Sequence, residues 1–306
     1  MLIMWKIVNF VLQRVLNYKV MNILYLVFGE NTNIHLQVTF SILSCLGEMK
    51  MSDTIHVVTT NPSFYEHFKD RIHIFPIGEE KLKEWRGKHD FFWRAKIKAI
   101  ELIANEYPGQ DFLYLDGDTI LFDLDSIRKH IKSGQALMHL NEGHPSNMKT
   151  KSLSMWHTVE GHIYDGIVLG KEHDMWNAGV VGIPGGILAK SVTLALHLCD
   201  GMLDDGAEPI VIEQYSLSIA LHECATLVEA SPFICHYWGN KDGWLNYIQQ
   251  FFIESHLKEW SLDQEITELL ARKESLKIPI HVKVPNTKRK IRLLLNKILP
   301  DKPTYR

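Results

Sequence analysis

Residues 112–118 read FLYLDGD and carry the strongest structural signal in this 306-residue chain. The apolar run that opens the stretch has the length of a buried strand, and Asp116 and Asp118 follow it with one glycine between them. Carboxylates at a strand end are hard oxygen ligands of the kind that Mg²⁺ and Mn²⁺ bind. The pattern predicts a buried strand whose tip holds a divalent cation, although Asp and Gly are also ordinary turn residues.

A second acidic triplet, Asp123-Leu124-Asp125, follows a few residues later. We favour the first triplet as the cation site because a full strand precedes it and because Gly117 leaves room for a ligand. The second triplet is better explained as the N-cap region of a helix that begins near Ser126.

Strand-length apolar runs alternate with helical patterns, which predicts an α/β fold with a mainly parallel central sheet and helices on both faces. In such sheets ligands bind beyond the carboxyl ends of the strands, where the acidic pair lies. The predicted strands are residues 22–28, 54–60, 71–77, 112–115, 136–140, 180–183, 225–229 and 233–237. The predicted helices are residues 34–46, 92–107, 126–131, 190–203, 210–222 and 261–273. Residues 141–175 are polar and lack periodicity, which predicts a long loop.

Composition narrows the class of protein. The formal net charge of −3 excludes a protein-wide positive field for nucleic acid. Four scattered cysteines without a C-x-x-C pair favour reduced thiols in a cytoplasmic protein over disulfides or a zinc site. Residues 1–20 are apolar but carry three basic side chains and precede no small-residue cleavage site, which argues against a transmembrane helix and a signal peptide. They are interpreted either as an amphipathic helix or as a non-native extension.

Four segments resemble the GT-A glycosyltransferases, in the order found in that group, and most closely its family 8. This family includes glycogenin and bacterial galactosyl- and glucosyltransferases of surface polysaccharides. The segments are FFWRAKIKAIELI at 91–103, YLDGDTILFDLDSI at 114–127, WNAGVVGIP at 176–184 and HYWGNKDGW at 236–244. The resemblance implies a GT-A-like nucleotide-diphospho-sugar transferase fold, with a catalytic domain over residues 21–250 and a helical region with a basic tail over residues 251–306.

The resemblance also implies an activity. A sugar would move from a nucleotide-diphosphate donor, with a UDP-sugar favoured, to a glycan or lipid-linked acceptor. Mn²⁺ or Mg²⁺ would neutralise the charge that develops on the departing diphosphate. The family retains the anomeric configuration; an inverting enzyme would instead need a general base, for which Glu142, Asp174 and Glu213 are the candidates.

Site residues are carried over from the resemblance position by position. The metal ligands would be Asp116, Asp118 and His236, and the imidazole favours Mn²⁺ over Mg²⁺. The catalytic residues, beside the transferred sugar, would be Asn177, Glu213 and Gln214. Further contacts to the donor would come from Phe28, Gly29, Arg94, Gly117, Ala178, Gly179, Gly239 and Lys241. Of the aromatic side chains around the cleft, a few would pack on sugar rings, although core packing explains most of them. These are Trp156, Trp176, Trp238 and Trp244.

Some positions depart from the family. Glu213 stands where the family has aspartate. The spacing of Gly239 and Lys241 is one residue shorter than usual, and Gly243 replaces a proline. Simpler explanations also stay open, since His236 is equally explained as a strand-end histidine with a structural hydrogen bond, and helix arginines are commonly solvated.

Two other classes of protein share parts of this pattern. A haloacid-dehalogenase-type phosphatase also has a D-x-D-x-T motif after a strand, with the first aspartate as nucleophile, here Asp116. In that class the strand usually opens the fold, whereas three predicted strands precede it here. A non-catalytic nucleotide-sugar-binding protein is the third interpretation.

The C-terminal tail is basic, with eight basic residues against one acid in residues 282–306. Residues 287–299, TKRKIRLLLNKIL, alternate cations with an Ile/Leu stripe. Such a segment can lie on an anionic membrane surface, which predicts a peripheral membrane contact near lipid-linked acceptors. A helix packed on the domain with its charges in water explains it equally well.

Overall fold

In the computed structural model of this chain, residues 20–68, 70–148 and 151–282 are described. The N-terminal extension through residue 19 and the basic tail over residues 287–299 lie outside this part. The helices are α1 (Thr32–Leu46), α2 (Glu79–Trp85), α3 (Arg94–Glu106), α4 (Leu124–Lys132), α5 (Lys151–Val159), α6 (Leu188–Asp204), α7 (Ile212–Cys224), α8 (Lys241–Leu257) and α9 (Leu262–Lys273).

Strands make up a seven-stranded central sheet and three two-stranded ribbons. The central strands are β1 (Met21–Val27), β2 (Thr54–Thr59), β3 (His73–Pro76), β4 (Asp111–Leu115), β6 (Ala136–Met138), β11 (Val180–Ile183) and β12 (Leu227–Glu229). The ribbon strands are β5 (Thr119–Leu121), β7 (Asn141–Gly143), β8 (Ile163–Tyr164), β9 (Ile167–Val168), β10 (Met175–Trp176) and β13 (Ile234–His236).

The central sheet has the order β12-β6-β11-β4-β1-β2-β3. Strand β11 runs antiparallel to both of its neighbours, and the other neighbouring pairs are parallel. The predicted α/β class with a mainly parallel sheet is therefore confirmed. The acidic pair follows β4, which lies in the middle of the sheet.

Both faces of the sheet are covered, as predicted. Along β4, Phe112 and Tyr114 face one buried cluster, whereas Leu113 and Leu115 face the other, because successive strand residues point to opposite faces. The first cluster contains apolar residues of α3, α6 and α7. The second contains apolar residues of α1, α4, α8 and α9. The sheet is thus the middle layer of a three-layer fold.

Two predictions about helix starts are confirmed. Asp123 is the N-cap of α4, where its Oδ1 accepts a hydrogen bond of 2.8 Å from the backbone N of Ser126. The helix predicted from residue 261 is α9, whose start carries a complete capping box formed by Ser261 and Gln264. The second acidic triplet is therefore explained by helix capping.

Other predictions need correction. The predicted loop over residues 141–175 contains helix α5, whose buried Met155, Trp156 and Val159 give it one apolar face. Helices α2 and α8 were not predicted, and the boundary proposed at residue 250 falls inside α8. Helix α8 shares the core of the sheet, because Phe251 contacts Phe40 of α1 with ring centroids 5.3 Å apart.

No disulfide joins the four cysteines, all of which lie in the described ranges. In the described ranges, no helix combines the length and the hydropathy that a membrane span requires.

A buried ion pair holds α4 against the start of the sheet. Arg128 Nη2 lies 2.7 Å from Asp53 Oδ2, and both side chains are buried. Replacing Arg128 with methionine should lower the free energy of unfolding by about 3–5 kcal/mol, because it leaves the Asp53 carboxylate buried without its cation. Urea unfolding measures this change. The matched control is Arg71→Met on the exposed pair with Asp263, where the loss should stay under about 1 kcal/mol. Equal losses in the two variants would contradict the prediction.

Candidate metal centre

A short ribbon brings the two acidic residues together with a histidine that lies far along the chain. After β4, the turn at residues 116–118 leads into β5, which pairs antiparallel with β13 so that His236 faces Thr119. The backbone N of Tyr237 donates to the carbonyl of Asp118 at 3.0 Å. This register places the His236 ring directly beside the turn.

The three side chains predicted as metal ligands converge. His236 Nε2 lies 3.5 Å from Asp118 Oδ1 and 4.0 Å from Asp116 Oδ2. One ligand atom from each residue lies within 4.8 Å of the others. His236 and Asp118 are buried, whereas Asp116 is partly exposed and leaves the group open on one side. Two carboxylates and an imidazole in this arrangement suit a divalent cation.

The hydrogen bonds around His236 determine which ring nitrogen carries the proton. The backbone N of Gly179 donates to Asn177 Oδ1 at 3.1 Å, so this oxygen is an acceptor. His236 Nδ1 lies 3.1 Å from the same oxygen and must therefore donate to it. In the neutral ring, Nε2 then presents a lone pair toward the two carboxylates.

That lone pair supports the metal assignment. His236 Nε2 is buried and has no hydrogen-bond partner among the described residues. A buried lone pair that faces two carboxylates is unfavourable, so this position calls for a positive charge, either a proton on Nε2 or a metal ion between the three side chains. Metal-binding histidines also usually donate their other ring N–H to an oxygen, as His236 does here. The three residues therefore fit Mn²⁺ or Mg²⁺.

A second group of ligand-type side chains, which the sequence did not suggest, consists of His173, His222 and Glu223. Its hydrogen bonds differ from those of the first group. His173 Nδ1 accepts from the backbone N of Gly170 at 3.2 Å, so Nε2 carries the proton and donates to Glu223 Oε1 at 3.2 Å. Because both ring nitrogens already have partners, this group is explained without a metal.

The side chain of Lys241, one of the predicted donor contacts, lies at the edge of the site. Lys241 Nζ lies 2.8 Å from Asp118 Oδ2, while its side chain is 55% exposed. Burial alone would raise the pKa of Asp118, but the His236 ring, when it is protonated, and the Lys241 ammonium outweigh that effect and hold the pKa well below its usual range. Asp118 is therefore ionised at neutral pH and available as a ligand.

The structure places Lys96, not Arg94, beside the acidic pair. The Arg94 guanidinium pairs with Asp200 at 2.7 Å and donates to the carbonyl of Trp85. Lys96 Nζ lies 3.3 Å from Asp116 Oδ1 and is buried. Positions two apart on a helix point about 200° away from each other, so the two cations face different ways. The sequence signal for this cation is a lysine on the otherwise apolar stripe of α3, and it was not used in the prediction.

The predicted sugar-side residues form one network. Gln214 Oε1 accepts from the backbone N of Ala178 at 3.3 Å, and Gln214 Nε2 donates to Glu142 Oε2 at 2.9 Å. Asn177 Nδ2 donates to Glu142 Oε1 at 3.2 Å. Glu142 is thus held between two amides, one of which also orients His236.

The other two candidate bases are engaged differently. Asp174 Oδ2 accepts from Asn141 Nδ2 at 3.0 Å. Glu213 is buried 3.1 Å from Lys96 Nζ, and burial raises its pKa even though Lys96 opposes the shift. Of the three carboxylates, Glu142 is the one that contacts both Asn177 and Gln214.

Three glycines of the site are explained by close packing. A Cβ atom at Gly117 would lie 2.5 Å from Val38 Cγ2. The space beside Gly117 is therefore filled by a side chain of α1, and the prediction that this glycine leaves room for a ligand is wrong. A Cβ at Gly179 would lie 2.1 Å from the His236 ring, and one at Gly239 would lie 2.3 Å from His281.

The end of β1, where Phe28 and Gly29 were predicted to contact the donor, is held by contacts within the protein. Phe28 packs edge-on against Phe92 with ring centroids 4.8 Å apart. Gly29 has a φ of +80°, and its carbonyl accepts from His35 Nε2 and Asn61 Nδ2 at 2.9 and 2.7 Å. A residue with a side chain would be strained at this φ, which explains the glycine.

A cavity of about 270 Å³ opens beside Asp116, between α3 and the start of α7. It is lined by Trp93, Lys96, Asp116, Ile210, Val211, Glu213 and Gln214. Trp93 is 46% exposed there, whereas Trp156 and Trp244, expected near the cleft, are buried in the core. The aromatic wall of this cavity is therefore Trp93, which was not among the tryptophans predicted around the cleft.

No protein-family model matches this chain, and comparison with curated proteins finds no match.

Proposed function

We propose that this protein is a metal-dependent glycosyltransferase of GT-A type that uses a nucleotide-diphosphate sugar, with a UDP-sugar favoured. The observation that carries the proposal is the buried Nε2 of His236, which has no hydrogen-bond partner among the described residues and faces Asp116 and Asp118 at the carboxyl end of a central strand. Sheets of this class bind ligands at that edge. The motif resemblance to family 8 agrees with the same residues.

Asp116, Asp118 and His236 would hold Mn²⁺ or Mg²⁺, which when bound neutralises negative charge on a diphosphate. On the open side of this group, Lys241 carries an exposed cation that can contact phosphate oxygens as a point charge. On the other side, the cavity beside Asp116 offers the Gln214 amide and the face of Trp93. An amide and an aromatic face suit the hydroxyls and C–H groups of a sugar.

The arrangement of side chains suggests how transfer would proceed. The Gln214 amide lies at the cavity and would position the anomeric carbon without attacking it. Glu142 is exposed and hydrogen-bonded to both Asn177 and Gln214, so it is placed to orient an acceptor hydroxyl. The acceptor would be a glycan or a lipid-linked sugar, and the basic tail would bring the protein to an anionic membrane surface.

The proposal is tested by thermal shift with a panel of nucleoside diphosphates, each with and without Mn²⁺. UDP together with Mn²⁺ should raise the melting temperature more than the sum of the two separate effects. At a ligand concentration of 100 Kd the stabilisation should reach about 2.7 kcal/mol. Release of UDP from UDP-hexoses then identifies the donor.

The other interpretations give different results. Hydrolysis of an aryl phosphate with no response to nucleoside diphosphates would favour the phosphatase. Binding of UDP and Mn²⁺ without donor cleavage, tested against a panel of glycan acceptors, would favour a binding protein. An absence of any response to Mn²⁺ would contradict the proposal.

A further inference from the structure

Lys96 lies at the junction of three parts of the candidate site. Its Nζ lies 3.3 Å from Asp116 Oδ1, after β4, and 3.1 Å from Glu213 Oε1, in the first turn of α7. It also donates to the carbonyl of Ala178 at 3.2 Å, in the turn before β11. The ammonium therefore donates a hydrogen bond to one backbone carbonyl and pairs by charge with two carboxylates.

The position of Lys96 is fixed by its surroundings. The side chain is 6% exposed, and its Nζ lies 5.0 Å from the centroid of the Tyr114 ring. Because the ammonium group is buried, water cannot replace its protein partners, and breaking these contacts would leave an uncompensated buried charge. Lys241, the other lysine at the acidic pair, is 55% exposed and therefore free to leave Asp118.

The contacts of Asp116 show what this fixed cation does. Its Oδ1 accepts from the Tyr114 hydroxyl at 2.8 Å and pairs with Lys96, whereas Oδ2 is the oxygen on the side of His236. With Oδ1 held by two partners, the carboxylate cannot rotate freely, and Oδ2 stays directed toward the metal position. The same ammonium holds Glu213, the neighbour of Gln214, and Ala178, the neighbour of Asn177 and Gly179.

We propose that Lys96 is a positioning residue that orients Asp116 for the metal and aligns the sugar-side residues with it. The inference rests on the proposed function only in taking Asp116 as a metal ligand. It predicts that loss of Lys96 weakens Mn²⁺ binding even though it removes a positive charge near the site. A purely electrostatic role would predict tighter Mn²⁺ binding on removal of Lys96 alone, and little net change in a variant that also neutralises Glu213.

The alternative is that Lys96 only compensates the buried charge of Glu213. The experiment therefore uses the charge-balanced double variant Lys96→Met/Glu213→Gln, because Lys96→Met alone leaves a buried carboxylate unpaired and is expected to lose stability. Lys241→Ala is the matched control, since it removes the other lysine from the acidic pair. Mn²⁺ affinity is measured without nucleotide, by electron paramagnetic resonance of the free ion, and melting temperature is recorded for every variant.

We expect the double variant to keep a melting temperature near that of the wild-type protein and to bind Mn²⁺ at least about tenfold more weakly. Lys241→Ala should bind Mn²⁺ as tightly as the wild-type protein or more tightly. Wild-type affinity in the double variant would overturn the inference, and so would an equal loss in Lys241→Ala. If the wild-type protein binds no Mn²⁺, the proposed function fails as well, whereas wild-type binding with an unchanged double variant overturns only the role of Lys96.

Discussion

Replacing Asp118 with asparagine is expected to lower Mn²⁺-dependent cleavage of the donor sugar by at least about 10³-fold, equivalent to about 4 kcal/mol. The change keeps the shape of the side chain but removes the charge of a buried ligand. It also leaves His236 Nε2 and Lys241 facing an amide, so neither the metal position nor the cation at the rim keeps its carboxylate partner.

The measurement is release of UDP at saturating Mn²⁺, with Mn²⁺ affinity determined in parallel. Asp125→Asn is the matched control, because it makes the same substitution in the second acidic triplet, where the carboxylate is exposed and pairs with Lys50. The control should stay within about twofold of the wild-type rate, equivalent to less than about 0.5 kcal/mol. Comparable losses in both variants would show that the first triplet has no special role.

The second group of ligand-type side chains provides an independent check. His222→Ala should leave Mn²⁺ affinity unchanged, because the hydrogen bonds of His173 already account for that group. A loss of affinity in this variant, with an unaffected Asp118→Asn, would move the metal to the second group.

Replacing Gly179 with alanine is expected to weaken Mn²⁺ binding by about 100-fold, equivalent to about 2.7 kcal/mol. The added Cβ would lie 2.1 Å from Cε1 of His236, so the imidazole must move away from the two carboxylates. The shift would also disturb the bond from His236 Nδ1 to Asn177 Oδ1, which orients the ring. Mn²⁺ titration and circular dichroism of the same sample separate loss of the site from loss of the fold.

Gly186→Ala is the control for this substitution. Gly186 follows the same strand β11, but a Cβ there meets no heavy atom within 4 Å, and no positive φ requires glycine. It should keep wild-type Mn²⁺ affinity and a wild-type spectrum. Retention of full affinity by Gly179→Ala would mean that His236 is not a ligand, and a spectrum typical of an unfolded chain would mean that Gly179 serves the fold.

Local patterns predicted most of the fold. The apolar run before Asp116, the stripe of α3 and the capping residues Asp123 and Ser261 act within a few residues of themselves, so their structures follow from propensity and hydrogen bonding nearby. The prediction failed where tertiary packing decides the structure. Helix α5 lies in a polar segment, and its short apolar face stabilises a helix only when it packs against α7 and the neighbouring core residues.

The acidic pair was found from the sequence because both carboxylates belong to one turn. His236 was proposed only from the motif resemblance, since no local rule shows that β13 pairs with β5. The role of Arg94 was predicted from its place in a motif, whereas its guanidinium pairs with Asp200 and Lys96 takes the place beside Asp116. Which face of a helix meets the site depends on how that helix is rotated on the sheet.

From its residues alone, this chain is an alternating α/β protein with two carboxylates at the end of a central strand, because strand length, helix period and turn chemistry are short-range properties. The pairing of β5 with β13, the burial of Lys96 between two acids and the direction of the lone pair on His236 were decided by the folded structure. These features join residues that are distant in sequence, and their energies depend on solvent exclusion and on partners that exist only after the layers have packed.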